Sequence, residues 1–281
     1  NPLPSPVISS ATPQTLCEYQ TNVAYSTPYV AGNSYTWTIT GAAGVANANT
    51  SAVTVNWDSY TNSPGTLAVN EKIDATGCEK TSATYQVILQ QRPIPTLTGA
   101  QTVCDGTTGV TYQTEAGMSD YTWSISGGSM TAGGTTASST ATVTWNTPGP
   151  GWIRVNYING LGCPGFPAKN VPVTINPLPV SAISAETGVT CQSQTHAYLT
   201  TADAASDFAW SVIPSASGSI TSGQGTHSVV VTWLTGGNAT VALTATRTAT
   251  GCSTSSTHPV LVNPSPLPAF TACFDLITTR N

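Results

Sequence analysis

Charge is the scarcest ingredient of this sequence: Lys and Arg number 7, Asp and Glu 12, together 7% of the residues, where a typical soluble domain has about 25%. Seven scattered cations cannot neutralise a run of phosphates, so nucleic acid is excluded as a partner. Long apolar runs are missing too. No stretch approaches the roughly 20 apolar residues of a membrane-spanning helix, so no membrane insertion is expected. Asn1-Pro2-Leu3-Pro4 lacks the basic and apolar segments of a signal peptide; any such segment is expected to have been removed or to lie outside these 281 residues. Disorder is excluded as well, because 39% of residues are hydrophobic and the net charge is only −5.

What is present is periodic. Cys17, Cys104 and Cys191 stand 87 and 87 residues apart; Trp37, Trp123 and Trp210, 86 and 87; Trp57, Trp145 and Trp233, 88 and 88; Cys78, Cys163 and Cys252, 85 and 89. Four landmarks agreeing on one length identify three copies of one unit. Proline-rich junctions punctuate them: Asn1-Pro2-Leu3-Pro4, Arg92-Pro93-Ile94-Pro95, Asn176-Pro177-Leu178-Pro179 and Asn263-Pro264-Ser265-Pro266-Leu267-Pro268. Proline fixes φ and restrains the preceding residue, so semi-rigid spacers and a rod of units are expected. The expected repeats are 1–92, 93–178 and 179–265, followed by a segment 266–281.

Each copy reads as strand throughout, with turn clusters about every ten residues, the spacing of a β-sandwich. Tyr35, Trp37 and Ile39 alternate and share a face, as do Tyr121, Trp123 and Ile125, and Phe208, Trp210 and Val212. A second alternation ends in the other tryptophan: Val53, Val55, Trp57; Ala141, Val143, Trp145; Val229, Val231, Trp233. These sets are the expected inner faces of the sandwiches, and the six tryptophans are expected to be core, since a large aromatic buries roughly 150–250 Å².

Cysteines recur twice per copy, once before the second strand and once in a Gly-Cys turn, with no histidine spaced for zinc. They are read as disulfides formed in an oxidising compartment, which places the chain outside the cell or on its surface. Pairing within a unit (Cys17 with Cys78, Cys104 with Cys163, Cys191 with Cys252) is the favoured expectation. The alternative is topological: if the first cysteine lies at the end of the sandwich opposite the chain's entry, Cys17 faces Cys163 across the junction instead. Cys273 is left over, in a tail where Phe270, Ala272, Phe274 and Leu276 alternate like the first strand of a further unit or an assembly strand.

Chemistry is not evident. His196, His227 and His258 fall only in the third copy, no nucleophile or carboxylate is marked beside them, and Glu71 with Asp74 or Asp203 with Asp207 form no calcium-loop spacing. No catalytic residue, metal ligand or cofactor is expected. Trp152 breaks the repeat, Thr66 standing in its place in the first copy, and is the candidate contact for a partner or sugar.

With the Tyr-Thr-Trp segment, the Val-x-Val-x-Trp strand and the Gly-Cys turn, the chain resembles tandem PKD-like, immunoglobulin-like repeats. Such arrays occur in large cell-surface proteins of Bacteroidota, including gliding-motility adhesins exported by type IX secretion. Thr38-Ile39-Thr40-Gly41 stands where standard PKD domains carry an Asp-rich segment. The resemblance implies an all-β tandem array of three immunoglobulin-like sandwiches, acting as a non-catalytic structural segment of an extracellular adhesin or surface filament. Its partners would be further repeats of the same polypeptide or identical subunits. The rival readings are an array binding polysaccharide or protein, and accessory repeats of a secreted hydrolase.

Overall fold

The computed structural model describes residues 2–11, 14–187 and 189–266. Strands dominate them, the one helical element being a 3₁₀ turn at Tyr60–Asn62. Backbone contacts divide the chain into two compact units, Asn1–Gln101 with Gly106–Thr174, and Thr102–Asp105 with Ile175–Asn281. The first unit therefore holds the first repeat and most of the second; the second unit holds the third repeat and the short segment around Cys104.

Two sheets make up the first repeat. One runs in the order Thr15–Cys17, Tyr85–Gln90, Gly65–Ile73, Asn33–Thr40, with Glu79–Thr81 also on Gly65–Ile73; the other runs Val23–Ser26, Ala52–Trp57, Ala42–Ala46. Their inner faces carry Tyr35, Trp37, Val53, Val55, Trp57, Leu67, Val69 and Val87, all buried. The alternation predicted from the sequence is seen directly: Ala52–Trp57 buries every second residue, because successive side chains of a strand point to opposite faces. In the second repeat Val110–Gln113, Thr140–Trp145 and Gly128–Gly133 form the smaller sheet, and Ser119–Ser126 pairs with Gly149–Ile158 in the larger. In the second unit the third repeat has the orders Ser184–Ala185, Thr195–Leu199, Ser228–Trp233, Gly218–Ser222 and Ser206–Ile213, Gly237–Arg247, Ser253–Val262.

One aromatic pair recurs at the heart of each sandwich. Tyr25 meets Trp57 edge-on at 6.1 Å between centroids, Tyr112 meets Trp145 at 6.1 Å, and Tyr198 meets Trp233 at 6.3 Å. Edge-to-face geometry sets the positive ring edge against the negative face and adds about 0.5–1.5 kcal/mol to the area buried. Each tryptophan has a glycine against it, but not at the same place. A Cβ on Gly65, in the opposite sheet, would collide with the Trp57 ring, whereas Gly128 and Gly218 are the strand partners of Trp145 and Trp233 in their own sheet, a position that Ala42 fills beside Trp57.

The other three tryptophans stand nearer the margin. Trp37, Trp123 and Trp210 each give the indole N–H to a turn carbonyl, Thr50 O at 2.8 Å, Ser138 O at 2.9 Å and Thr226 O at 2.9 Å. Trp37 and Trp210 are buried, but Trp123 is only partly so. A register shift between Ser119 and Thr122, with Asp120 at φ 49°, bulges this strand and re-aims the residues after it. Cys273 and the alternating Phe270 to Leu276 segment lie outside the described residues.

Candidate functional site: the cysteine staples

The first cysteine ends a short strand in the first two repeats, Thr15–Cys17 and Thr102–Cys104, and lies at an isolated bridge in the third, each time alongside the last strand of its own repeat. Thr15, Leu16 and Cys17 pair with Ile88, Leu89 and Gln90, and Glu18 N–H donates to Gln90 O at 2.9 Å. In the second unit Asp105 N–H donates to Asn176 O at 2.8 Å, and Gln192 N–H to Asn263 O at 2.9 Å, with Cys191 bridged in parallel to Asn263. Parallel pairing has one consequence: the first cysteine arrives at the end of the sandwich from which the chain leaves for the next repeat.

The second cysteine closes a similar turn in each repeat, one residue shorter in the second than in the first and third. Ile73 N–H donates to Cys78 O at 2.9 Å, Asn159 N–H to Cys163 O at 3.0 Å, and Arg247 N–H to Cys252 O at 2.9 Å. The preceding glycines have φ of 70°, 80° and 71° at Gly77, Gly162 and Gly251, with nothing within 4 Å of a Cβ built on any of them. Glycine is needed there for its left-handed backbone alone.

Disulfides join these two kinds of position across consecutive repeats. Cys17 bonds Cys163 with Cα atoms 5.5 Å apart, and Cys104 bonds Cys252 with 5.6 Å. This corrects the favoured expectation: Cys17 does not pair with Cys78, nor Cys104 with Cys163, nor Cys191 with Cys252, and Cys78 and Cys191 are free thiols. The physical reason is the parallel strand. It carries the first cysteine a whole strand length away from the Gly-Cys turn of its own repeat and sets it beside that of the next.

Polar contacts around the Cys17–Cys163 staple lock the linker in place. The Glu18 carboxylate is buried at 7% exposure and accepts from the N–H groups of Arg92 and Tyr60, each at 3.0 Å, and from Ser59 Oγ at 3.3 Å. Phe166 N–H donates to Pro93 O at 3.0 Å, Asn159 Nδ2 to Gln91 O at 3.3 Å, and the Arg92 guanidinium lies 5.5 Å from the Phe166 ring centroid. Further along the linker, Thr96 N–H and Oγ1 donate to the Glu115 carboxylate at 3.1 and 2.5 Å, joined by Thr114 Oγ1 at 2.7 Å and Tyr157 OH at 2.9 Å. Burial pushes the Glu115 carboxyl upward, but the donors of Thr96, Thr114, its own backbone and Tyr157 outweigh it and hold the group at about 2. Burial, and then the bond to Glu115, raise the Tyr157 phenol.

Glu18 and Glu115, which hold the linker, were not singled out from the sequence. A signal for the first was available: Cys17-Glu18, Cys104-Asp105 and Cys191-Gln192 place an oxygen-bearing side chain after every first cysteine.

His196 and His258 line one pocket of the third repeat with Glu186 and Tyr198, and the His258 ring lies 5.8 Å from that of Tyr198. His227 is exposed in its turn. Among the described residues no group of three or more His, Cys, Asp and Glu side chains could hold a metal ion. Trp152 is 37% exposed and lines a shallow groove with Arg154, Ala168 and Asn170.

Comparison with known proteins agrees with this architecture. The PKD-like domain family matches at residues 2–87, 90–173 and 176–262. No curated protein matches the chain. Among solved structures, the three N-terminal domains of the highly immunogenic outer capsid protein of bacteriophage RB49 are 10% identical over 93% of this chain and 99% of that one, with a TM-score of 0.36. The D1–D4 ectodomain fragment of ICAM-5 is 13% identical over 92% and 76%, with a TM-score of 0.40. Fibronectin(III)-like modules of Clostridium thermocellum CbhA are 9% identical over 61% and 95%, with a TM-score of 0.31.

Proposed function

Since the chain belongs to the PKD-like domain family, with three of its domains in tandem, we propose that it is a non-catalytic structural segment of an extracellular adhesin or cell-surface filament. The observation that carries the reading is the stapling of each repeat to the next. A disulfide inside a sandwich would protect that sandwich alone; one between sandwiches also fixes a junction, which suits a chain whose task is to hold the spacing and orientation of its domains. Disulfides also call for an oxidising compartment. The setting we infer is the surface of a gliding member of the Bacteroidota with type IX export, on the strength of the Tyr-Thr-Trp, Val-x-Val-x-Trp and Gly-Cys motifs. Its partners in this reading are further repeats or identical subunits.

Antibodies raised against the chain test the proposal on intact source cells. They should label the surface without permeabilisation, and excising residues 2–262 from the gene should abolish attachment or displace whatever the array presents, leaving secreted enzyme activities unchanged. An enzymatic activity lost with the repeats would overturn it.

A second reading, a polysaccharide contact, is favoured by one observation: an exposed indole beside Arg154 and Asn170 on an outer face. Glycan arrays probed with the chain and with Trp152→Ala decide it, since sugar binding through this groove should fall at least tenfold in the variant.

A further inference from the structure

Among the described residues the two free thiols are not scattered leftovers. Cys191 is the third-repeat counterpart of Cys17 and Cys104, and Cys78 is the first-repeat counterpart of Cys163 and Cys252. In this chain every first cysteine with a following repeat is bonded, and so is every second cysteine with a preceding one. We propose that Cys191 and Cys78 are complementary halves of a third staple: Cys191 bonds the Gly-Cys turn of a PKD-like repeat placed after it, and Cys78 bonds the first cysteine of one placed before it.

Independent features of the structure support this. The Cys78 turn already has the geometry of the bonded Cys252 turn, with Ile73 N–H on Cys78 O at 2.9 Å as Arg247 N–H is on Cys252 O, and Cys78 N–H facing Thr76 Oγ1 at 3.3 Å as Cys252 N–H faces Thr250 Oγ1 at 3.4 Å. The cysteine itself is less covered: Cys163 and Cys252 are each 1% exposed, whereas Cys78 is only partly buried. At the other end, the exit from the third repeat is formed like the exit from the first. Gln192 Oε1 accepts from Ser265 N–H at 3.4 Å, the position two past the parallel bridge that Arg92 fills for Glu18, and Asn263 N–H donates to Thr190 O at 2.9 Å. Both halves of a junction are therefore formed, each lacking only the opposite sulfur.

Closure needs an oxidant, and a small disulfide such as oxidised glutathione suffices. One cysteine thiolate attacks a glutathione sulfur, forming a mixed disulfide and expelling a glutathione thiolate; the second cysteine thiolate then attacks the protein sulfur and expels the other. Two protein thiols become one disulfide, and one glutathione disulfide becomes two thiols.

The test is a tandem chain in which residues 1–262 are followed directly by the full 281-residue sequence, so that Asn1 of the second copy takes the place of Asn263, with Cys273→Ser throughout. After refolding in a glutathione redox buffer, non-reducing peptide mapping should find Cys191 of the first copy linked to Cys78 of the second, and Cys78→Ser in the second copy should restore alkylation of Cys191 by at least tenfold. If Cys17–Cys163 and Cys104–Cys252 form in both copies while Cys191 remains a reactive thiol or pairs elsewhere, this inference falls and the structural role proposed above stands. If those two staples also fail to form, both fall together.

Discussion

Breaking the Cys17–Cys163 bond should release the second repeat to unfold by itself. The paired variant Cys17→Ser with Cys163→Ser removes the staple without leaving an odd thiol. Its magnitude follows from where the bond lies. When both repeats unfold, the bond closes a loop with a sequence separation of 146, worth about 5 kcal/mol of chain entropy. When the second repeat unfolds beside a folded first repeat, Cys17 remains paired with Gln90, so the loop runs only from Gln90 to Cys163, about 73 residues and about 4 kcal/mol. A domain of this size shifts its midpoint by roughly 4–8 °C per kcal/mol, so the second repeat should melt ~15–30 °C lower in the variant. Differential scanning calorimetry reads this directly, with Cys78→Ser as the control that removes a cysteine and no bond. A Cys17→Ser, Cys163→Ser protein melting within about 3 °C of the parent would refute the reasoning, as would a non-reducing map linking Cys17 to Cys78.

Other consequences can be measured in the same chain. Glu115 lies at about 2, below the value of 4.5 from which it starts, so its stabilising effect is complete above about pH 4.5 and is lost as the pH falls through 2. Glu115→Gln should cost about 2 kcal/mol at neutral pH and flatten urea stability between pH 4.5 and 2; an unchanged slope would remove Glu115 from the account of the linker. Gly162→Ala meets no atom within 4 Å at its Cβ, so its penalty should be only the left-handed backbone, about 1–2 kcal/mol, with the Cys17–Cys163 bond still forming in a non-reducing map.

The sequence made the repeats and the strands legible because their markers are bulky and obligatory. Trp57, Trp145 and Trp233 are wholly enclosed and each meets a buried tyrosine edge-on, so this marker cannot drift without losing the core. Disulfide connectivity was not legible in the same way. Cysteine spacing records how far apart two residues are along the chain, and the Gly-Cys turn lies about 60 residues from the first cysteine of its own repeat and, in the next, farther still. What separates the two pairings is the direction of one three-residue strand, Thr15–Cys17, relative to Tyr85–Gln90. Parallel pairing of so short a segment leaves no periodicity to read. Trp123 shows the converse, a correct strand whose bulge at Asp120 draws the marker residue toward the margin. The pocket holding His196 and His258 went unforeseen because the two lie on separate strands, Thr195–Leu199 and Ser253–Val262, with no shared motif.

Staggered stapling also changes what happens to the chain under load. Without disulfides, a pull between residues 2 and 262 can draw out all 260 residues between them, on the order of 900 Å at 3.6 Å per residue. With Cys17–Cys163 and Cys104–Cys252 closed, the tension takes a shorter covalent route: from residue 2 to Cys17, across to Cys163, back to Cys104, across to Cys252 and on to residue 262. That route holds about 84 residues, on the order of 300 Å when fully extended. The segments outside it, including most of both strands-and-turns cores of the first and third repeats, hang as side loops that carry no force. Single-molecule extension of the oxidised chain should therefore stop ~600 Å short of the same chain in a reducing buffer, and a molecule with only Cys104 and Cys252 changed to serine should fall between them. Equal contour lengths before and after reduction would mean that the sulfur bonds do not bridge the repeats, and the structural role proposed for the array would lose the observation it rests on.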